Sequence, residues 1–122
     1  MANNHLPQML VELGFIAVGQ GMNSEAQCIF TAMQQQYPQQ LAPVLGYALL
    51  QLNQNEPEAA LATLKNFSTV KEQDMLQAYQ ALCLMKLGHN SEAELLLKKL
   101  INSPEPTVVP FAQSLLKEIT DD

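Results

Sequence analysis

The chain contains no arginine, and no lysine occurs before Lys65. Its formal net charge is −6, because 12 acidic residues outnumber 6 basic ones among 122 residues. Binding to nucleic acid requires clustered cations that replace the counterions of the phosphates, and this sequence has no such cluster. Anionic membrane surfaces attract the same kind of cluster. We therefore expect neither nucleic acid nor a membrane surface among the partners.

Long apolar runs are also missing, since Gln, Glu or Lys interrupts each of them before it could cross a bilayer. The first residues, MANNHLPQ, lack the basic start and the apolar stretch of a signal peptide. We expect a cytoplasmic protein in which the two cysteines, Cys28 and Cys83, are reduced and buried. The hydrophobic share of 48% is ordinary for a globular chain of this length.

Residues that could form a catalytic or metal site are equally scarce. The two histidines, His5 and His89, have too few potential ligands near them in the sequence to hold a metal ion. Cys28 and Cys83 lie within apolar helical segments, where no cation would lower a thiol pKa. The glutamates are typical of solvated first turns of helices and not of a catalytic pair. We expect a protein that is not an enzyme and that uses no cofactor, metal or small-molecule substrate.

Three short strings of similar sequence recur along the chain, namely GMNSEA, NEPEAA and GHNSEA. Their last alanines, Ala26, Ala60 and Ala93, are 34 and then 33 residues apart. This is the period of the tetratricopeptide repeat, a helix–turn–helix unit. The Gly or Asn that opens each string suits the left-handed conformation that follows a helix end. Each string therefore predicts a turn and the start of the second helix of a hairpin.

The apolar pattern around these turns predicts seven helices. Their expected ranges are 6–19, 24–36, 41–53, 57–67, 71–87, 91–102 and 107–119. The first six form repeats at about 7–40, 41–73 and 74–106, and the seventh should cover the open end of the stack. We predict an all-α fold for residues 1–122, a single-domain α-solenoid of three tetratricopeptide-like hairpins with a C-terminal capping helix.

In tetratricopeptide stacks, the first helix of each pair lines a concave groove with one helical stripe. The middle positions of that stripe are apolar here in all three repeats: Val11, Phe15, Val18, Leu45, Leu49, Leu52, Ala78, Leu82 and Met85. Helix 6–19 carries one charge, Glu12, and is apolar nearly all round, so it must be covered on more than one side. An exposed apolar strip marks a partner site. The expected ligand is an amphipathic helix of another protein.

Other arrangements would cover this stripe without a ligand. A stripe of Leu or Met at helical spacing is usually core, and a tighter superhelix or the final helix folding back would bury it. Self-association through the stripe would cover it as well. Groove positions that bind acidic chaperone tails carry Lys, Arg and Asn in other tetratricopeptide proteins, so the apolar residues here argue against that ligand.

Four stretches carry a resemblance to a known family: 21–30, 78–88, 92–97 and 111–116. Together with the length, the three repeats and the closing helix, they resemble the small chaperones of bacterial type III secretion, closest to the needle-subunit chaperones. A related Hrp-type secretion family of similar size fits nearly as well. The resemblance implies that the groove holds the C-terminal amphipathic helix of a needle subunit and prevents its premature polymerisation.

The resemblance also implies a second small helical protein, a co-chaperone, that packs on the N-terminal repeat. We assign this contact to Leu6, Met9 and Leu13, although Leu13 also suits the core of the first repeat. The alternative function is that of a generic tetratricopeptide scaffold or adaptor, which would bind an extended peptide and not a helix.

Overall fold

A computed structural model describes the backbone of residues 5–68 and 71–120, and the side chains from residue 8 onward within those ranges. In these residues the fold is entirely helical, with seven helices and no strand. The helices are α1 (His5–Gly19), α2 (Asn23–Gln36), α3 (Leu41–Asn53), α4 (Pro57–Lys65), α5 (Gln73–Lys86), α6 (Asn90–Leu100) and α7 (Val108–Thr120). The predicted all-α fold is confirmed, and the helix boundaries agree with the predicted ones to within two residues.

The helices form two compact units, Met1–Phe67 and Ser68–Asp122. In the first unit, α1 packs against α2 and α3, while α3 also packs against α2 and α4. In the second unit, α5 packs against α6, and α7 packs against both. A separate cluster of buried apolar residues lies in each unit. The prediction of a single domain is not tested by this grouping and stays a prediction.

The three repeated strings all form the same turn. Gly21, Asn55 and Gly88 have positive φ angles of 74°, 62° and 83°. In each turn the N–H of the following residue donates a 2.8 Å hydrogen bond to the carbonyl five positions earlier. This is the Schellman arrangement, which satisfies carbonyls that the helix end leaves without partners. The repeated strings therefore end the first helix of every hairpin by one mechanism.

The second helix of each hairpin presents two repeated positions to its core. The alanine of the repeated string is fully buried in all three hairpins, and so is the large apolar residue four positions later. Residues at this spacing share one face of a helix. The small alanine permits close approach of the two helices, and the larger residue fills the space beside it. These pairs are Ala26 with Phe30, Ala60 with Leu64, and Ala93 with Leu97.

Phe30 is the point at which three helices of the first unit meet. Its ring, which belongs to α2, occupies the space where side chains would otherwise project from Gly14 of α1 and Gly46 of α3. A Cβ atom placed on Gly46 would lie 2.2 Å from the ring carbons, and one on Gly14 would lie 2.7 Å from them. Both glycines are required by this packing, because any side chain there would displace the ring.

Two hydrogen bonds between side chains join separate elements of the fold. The side-chain carbonyl of Gln51 in α3 accepts a 2.7 Å hydrogen bond from the Thr63 hydroxyl of α4. In the second unit, the Ser103 hydroxyl donates a 2.6 Å hydrogen bond to the Asp74 carboxylate. The first contact joins two helices of one hairpin, and the second joins the α6–α7 connection to the start of α5.

Replacement of Gly46 by Ala should destabilise the first unit, because the added methyl group would overlap the Phe30 ring. Overpacking of this kind typically costs about 1–3 kcal/mol of unfolding free energy. Gly19→Ala is the matched control, since a Cβ there meets nothing within 4 Å and Ala is favoured over Gly in helices by roughly 1 kcal/mol. Urea unfolding followed by circular dichroism measures both variants. Equal stability of the two variants would contradict the packing described for Phe30.

Candidate protein-binding surfaces

Helix α1 exposes three large apolar side chains. Met9, Leu13 and Ile16 are 56%, 52% and 55% exposed. Their spacing of four and then three residues places them on one face of the helix, and we call these three residues the α1 row. The opposite side of α1 is buried in the first unit through Val11 and Val18. The helix is therefore apolar on two sides, and the fold covers one of them.

The α1 row overlaps the residues predicted to contact a co-chaperone. Met9 and Leu13 belong to it, whereas the side chain of Leu6 lies outside the described residues. Leu13 is exposed and does not take part in the core of the first hairpin, where Gly14 and Ala17 are buried. Ile16 was missed by the sequence analysis, although its spacing of seven residues from Met9 could have identified it.

The predicted groove residues of the first unit divide into two groups. Phe15, Leu49 and Leu52 are half-buried and keep part of their surface accessible. The side chains at the other predicted groove positions of this unit are enclosed by the packing of neighbouring helices. These buried residues are Val11, Val18 and Leu45, and in this conformation they offer almost no contact surface. The binding role of the half-buried residues stays a prediction.

The second unit shows the same division. Leu82 and Met85 of α5 are half-buried, while Ala78 is fully buried in the cluster that α5 forms with α6 and α7. Ala78 is therefore a packing residue in this conformation and offers no surface to a partner. In the same unit the rings of Tyr79 and Phe111 contact each other in a tilted arrangement, with centroids 5.3 Å apart and an interplanar angle of 59°. Burial raises the pKa of the Tyr79 hydroxyl above its ordinary value.

Phe15 is held against the core by an aromatic contact. Its ring meets the ring of Phe30 at a centroid distance of 5.4 Å and an interplanar angle of 73°. This edge-to-face geometry is a favoured arrangement of aromatic pairs. One side of the half-buried Phe15 ring therefore lies on a fully buried ring, and the remainder stays accessible.

The two cysteines do not share one environment, which corrects the prediction that both are buried. Cys83 is buried, and burial raises the pKa of its thiol to about 11. Cys28 is exposed. The reason is its place on α2, whose core face consists of Ala26, Phe30 and Met33. Cys28 is two residues from Ala26 and two from Phe30. It therefore lies about 160° around the helix from each of them.

The charged side chains form ordinary surface contacts. Lys98 pairs with Glu94 at 3.1 Å within α6, and His89, the residue before α6, lies 3.5 Å from Glu92 of the first turn. Such exposed pairs contribute little to stability. Among the described side chains, no three His, Cys, Asp or Glu residues are grouped so that they could hold a metal ion. Within residues 5–68 and 71–120, every helix is too short or too polar to cross a membrane.

The cysteine environments predict a large difference in alkylation. At pH 8, Cys28 should react rapidly with iodoacetamide, while Cys83 should stay unmodified until the protein unfolds, because it is buried and its raised pKa keeps the thiol protonated. Mass spectrometry of the native protein over time measures both sites, and a sample in urea gives the fully modified reference. Equal rates for the two cysteines in the native protein would contradict the packing of α5.

Comparison with solved structures finds a similar chain of known context. No family model matches the chain, and no curated protein matches it. A solved structure of the heterotrimeric complex which regulates type III secretion needle formation contains a similar chain. The similarity covers 95% of this chain and 98% of that chain, with a TM-score of 0.78 and 26% sequence identity. The helices of the two chains therefore correspond over almost their full lengths.

Proposed function

We propose that this protein is a cytoplasmic chaperone of a type III secretion system, which holds an amphipathic helix of a secreted, polymerisation-prone needle subunit. The observation that carries the proposal is the similarity, over nearly the whole of both chains, to a component of the complex that regulates needle formation. A component of a heterotrimer needs surfaces for other proteins. Accessible apolar residues in both units support such a role here.

The client helix is assigned to the half-buried residues at the predicted groove positions. In the first unit these are Phe15, Leu49 and Leu52. In the second unit, taken by itself, Leu82 and Met85 are half-buried at the same predicted positions. An amphipathic helix binds to such residues through apolar side chains at helical spacing. Covering apolar area gains about 25 cal/mol per Å² removed from water. The same area on the client then cannot pair with another copy of the client, so polymerisation is prevented by competition and needs no catalytic group.

The second partner is assigned to the α1 row. Its three members are more than half exposed. Phe15 is one residue from Ile16 and two from Leu13, so it lies on a different face of α1. A small helical protein could therefore cover the row while the client occupies the other face. This arrangement suits a complex of three chains, in which this protein contacts two others at once.

The client assignment is tested by co-expression of the chain with the small open reading frames next to its gene. Leu52→Asp and Leu49→Asp should abolish co-purification of the needle-type subunit, because a carboxylate buried against an apolar helix remains without a partner. Leu95→Asp is the matched control, since Leu95 is 71% exposed on α6 and outside the predicted groove positions. Circular dichroism should give near wild-type helical signals for all three variants.

Two outcomes would contradict the client assignment. Loss of the helical signal in both Leu49→Asp and Leu52→Asp would assign these residues to the core. A wild-type chain that stays soluble and monomeric without partners, and captures no needle-type subunit, would favour the generic scaffold. A needle-type chaperone should instead capture the subunit and become more soluble when the subunit covers its apolar residues.

The assignment of the α1 row is tested separately with Leu13→Asp. This variant should lose the second small protein and keep the needle-type subunit, because Leu13 and Phe15 lie on different faces of α1. Leu95→Asp again serves as the control, since it makes the same substitution at another exposed leucine. Size-exclusion chromatography of the co-expressed chains distinguishes a complex of two chains from one of three. Retention of all three chains by Leu13→Asp would remove the row from the interface.

A further inference from the structure

We infer that Phe30, although fully buried, is a positioning residue for partner binding, because it fixes the orientation of the Phe15 ring that a partner helix contacts. The inference rests on the proposed function, since it concerns the same client and deepens the role of one residue at its site. Phe30 itself touches no partner, because none of its surface is exposed. Its effect on binding would pass through Phe15.

The first step is that Phe30 has almost no freedom to move. Its ring carbons fill the space beside Gly14 of α1 and Gly46 of α3, at positions where a Cβ atom would be only 2.7 Å and 2.2 Å away. Helix α2 supplies the ring and the other two helices enclose it. A ring confined by three helices keeps one rotamer, because any other would collide with a tightly packed interior.

The second step is that this fixed ring bounds the movement of Phe15. The two rings meet edge to face at 5.4 Å, and Phe15 directly follows Gly14 in α1. Rotation of the Phe15 side chain would break this favourable contact. The accessible part of Phe15 is therefore presented in one orientation before any partner arrives. A side chain that is already ordered loses less entropy when a complex forms.

The third step is that Phe15 differs from the other predicted groove residues. It is the only aromatic residue among the nine, which otherwise are Val, Leu, Ala and Met. Aromatic side chains, including Phe, are enriched in the buried cores of protein interfaces. The structure therefore assigns to Phe15 the main contact of the first unit, with a bulky apolar side chain of the partner helix as its counterpart.

The test is a double-mutant cycle with Phe15→Leu, Phe30→Leu and both together. The probe is a fluorescein-labelled synthetic amphipathic helix with Leu at positions i, i+3, i+4 and i+7, and anisotropy reports its binding. Phe30→Leu should weaken binding roughly two- to tenfold, the range expected when one side chain must be ordered on association. In the Phe15→Leu background, Phe30→Leu should cause no further loss.

Met33→Ala is the control for a merely structural effect. Met33 lies on α2 in the same buried cluster as Phe30, so its truncation should destabilise that cluster without removing either ring. It should not weaken peptide binding at a temperature where the variant is folded. Side-chain NMR of ¹³C-labelled Phe in the free protein gives a second readout. Phe15 should populate one rotamer in the wild type and in Met33→Ala, and several in Phe30→Leu.

The outcomes separate this inference from the proposed function. Peptide binding that responds to Phe15→Leu but not to Phe30→Leu would overturn the positioning role alone. So would an equal loss from Phe30→Leu in both backgrounds, or a Phe15 rotamer that does not change in Phe30→Leu. A wild-type chain that binds no amphipathic helix would contradict the helix-binding function itself, and the inference would fall with it.

Discussion

The contact of the Phe30 ring with two glycines determines which surfaces the first unit leaves in water. Because the ring lies directly against Gly14 and Gly46, α1 and α3 approach α2 more closely than side chains would allow. This approach fixes the rotation of α1 about its own axis. One apolar side of α1 is then enclosed, and the other, with the α1 row, is exposed. Apolar area left in water is unfavourable by about 25 cal/mol per Å². That free energy becomes available to any protein that covers the row.

The sequence predicts the hairpins well because their ends depend on local chemistry. Gly21, Asn55 and Gly88 adopt the left-handed conformation that their residue types favour, and each ends a helix where the pattern places it. Burial on α1 was harder to predict. A helix that is apolar nearly all round has no polar face to indicate which side meets its neighbours, so Leu13 suited the core as well as the surface. The close packing at Phe30 is a property of the folded chain, and it decides that Leu13 lies at the surface and not in the core.

Helical spacing also indicates which residues of α2 face away from the core. Cys28 lies on the side of α2 opposite the repeated core positions, so spacing alone could have placed it at the surface. At the groove positions, the repeat pattern predicts which helix lines a concave side. It does not predict how far each side chain is buried, because burial depends on the neighbouring side chains. Val18 is buried and Leu52 half-buried for this reason, although the pattern treats them alike.

In the proposed function, selectivity for one client must come from shape on helices α1 to α3, since charge is nearly absent there. Between His5 and Asn53 the only charged residues are Glu12 and Glu25, so ion pairs cannot discriminate strongly among partners. Apolar contact alone is also unselective, because any amphipathic helix offers similar area. Discrimination then requires apolar residues held at fixed positions, so that a poorly matched helix leaves gaps or clashes. In the proposed function, a rigid Phe15 beside aliphatic Leu49 and Leu52 supplies such a fixed position.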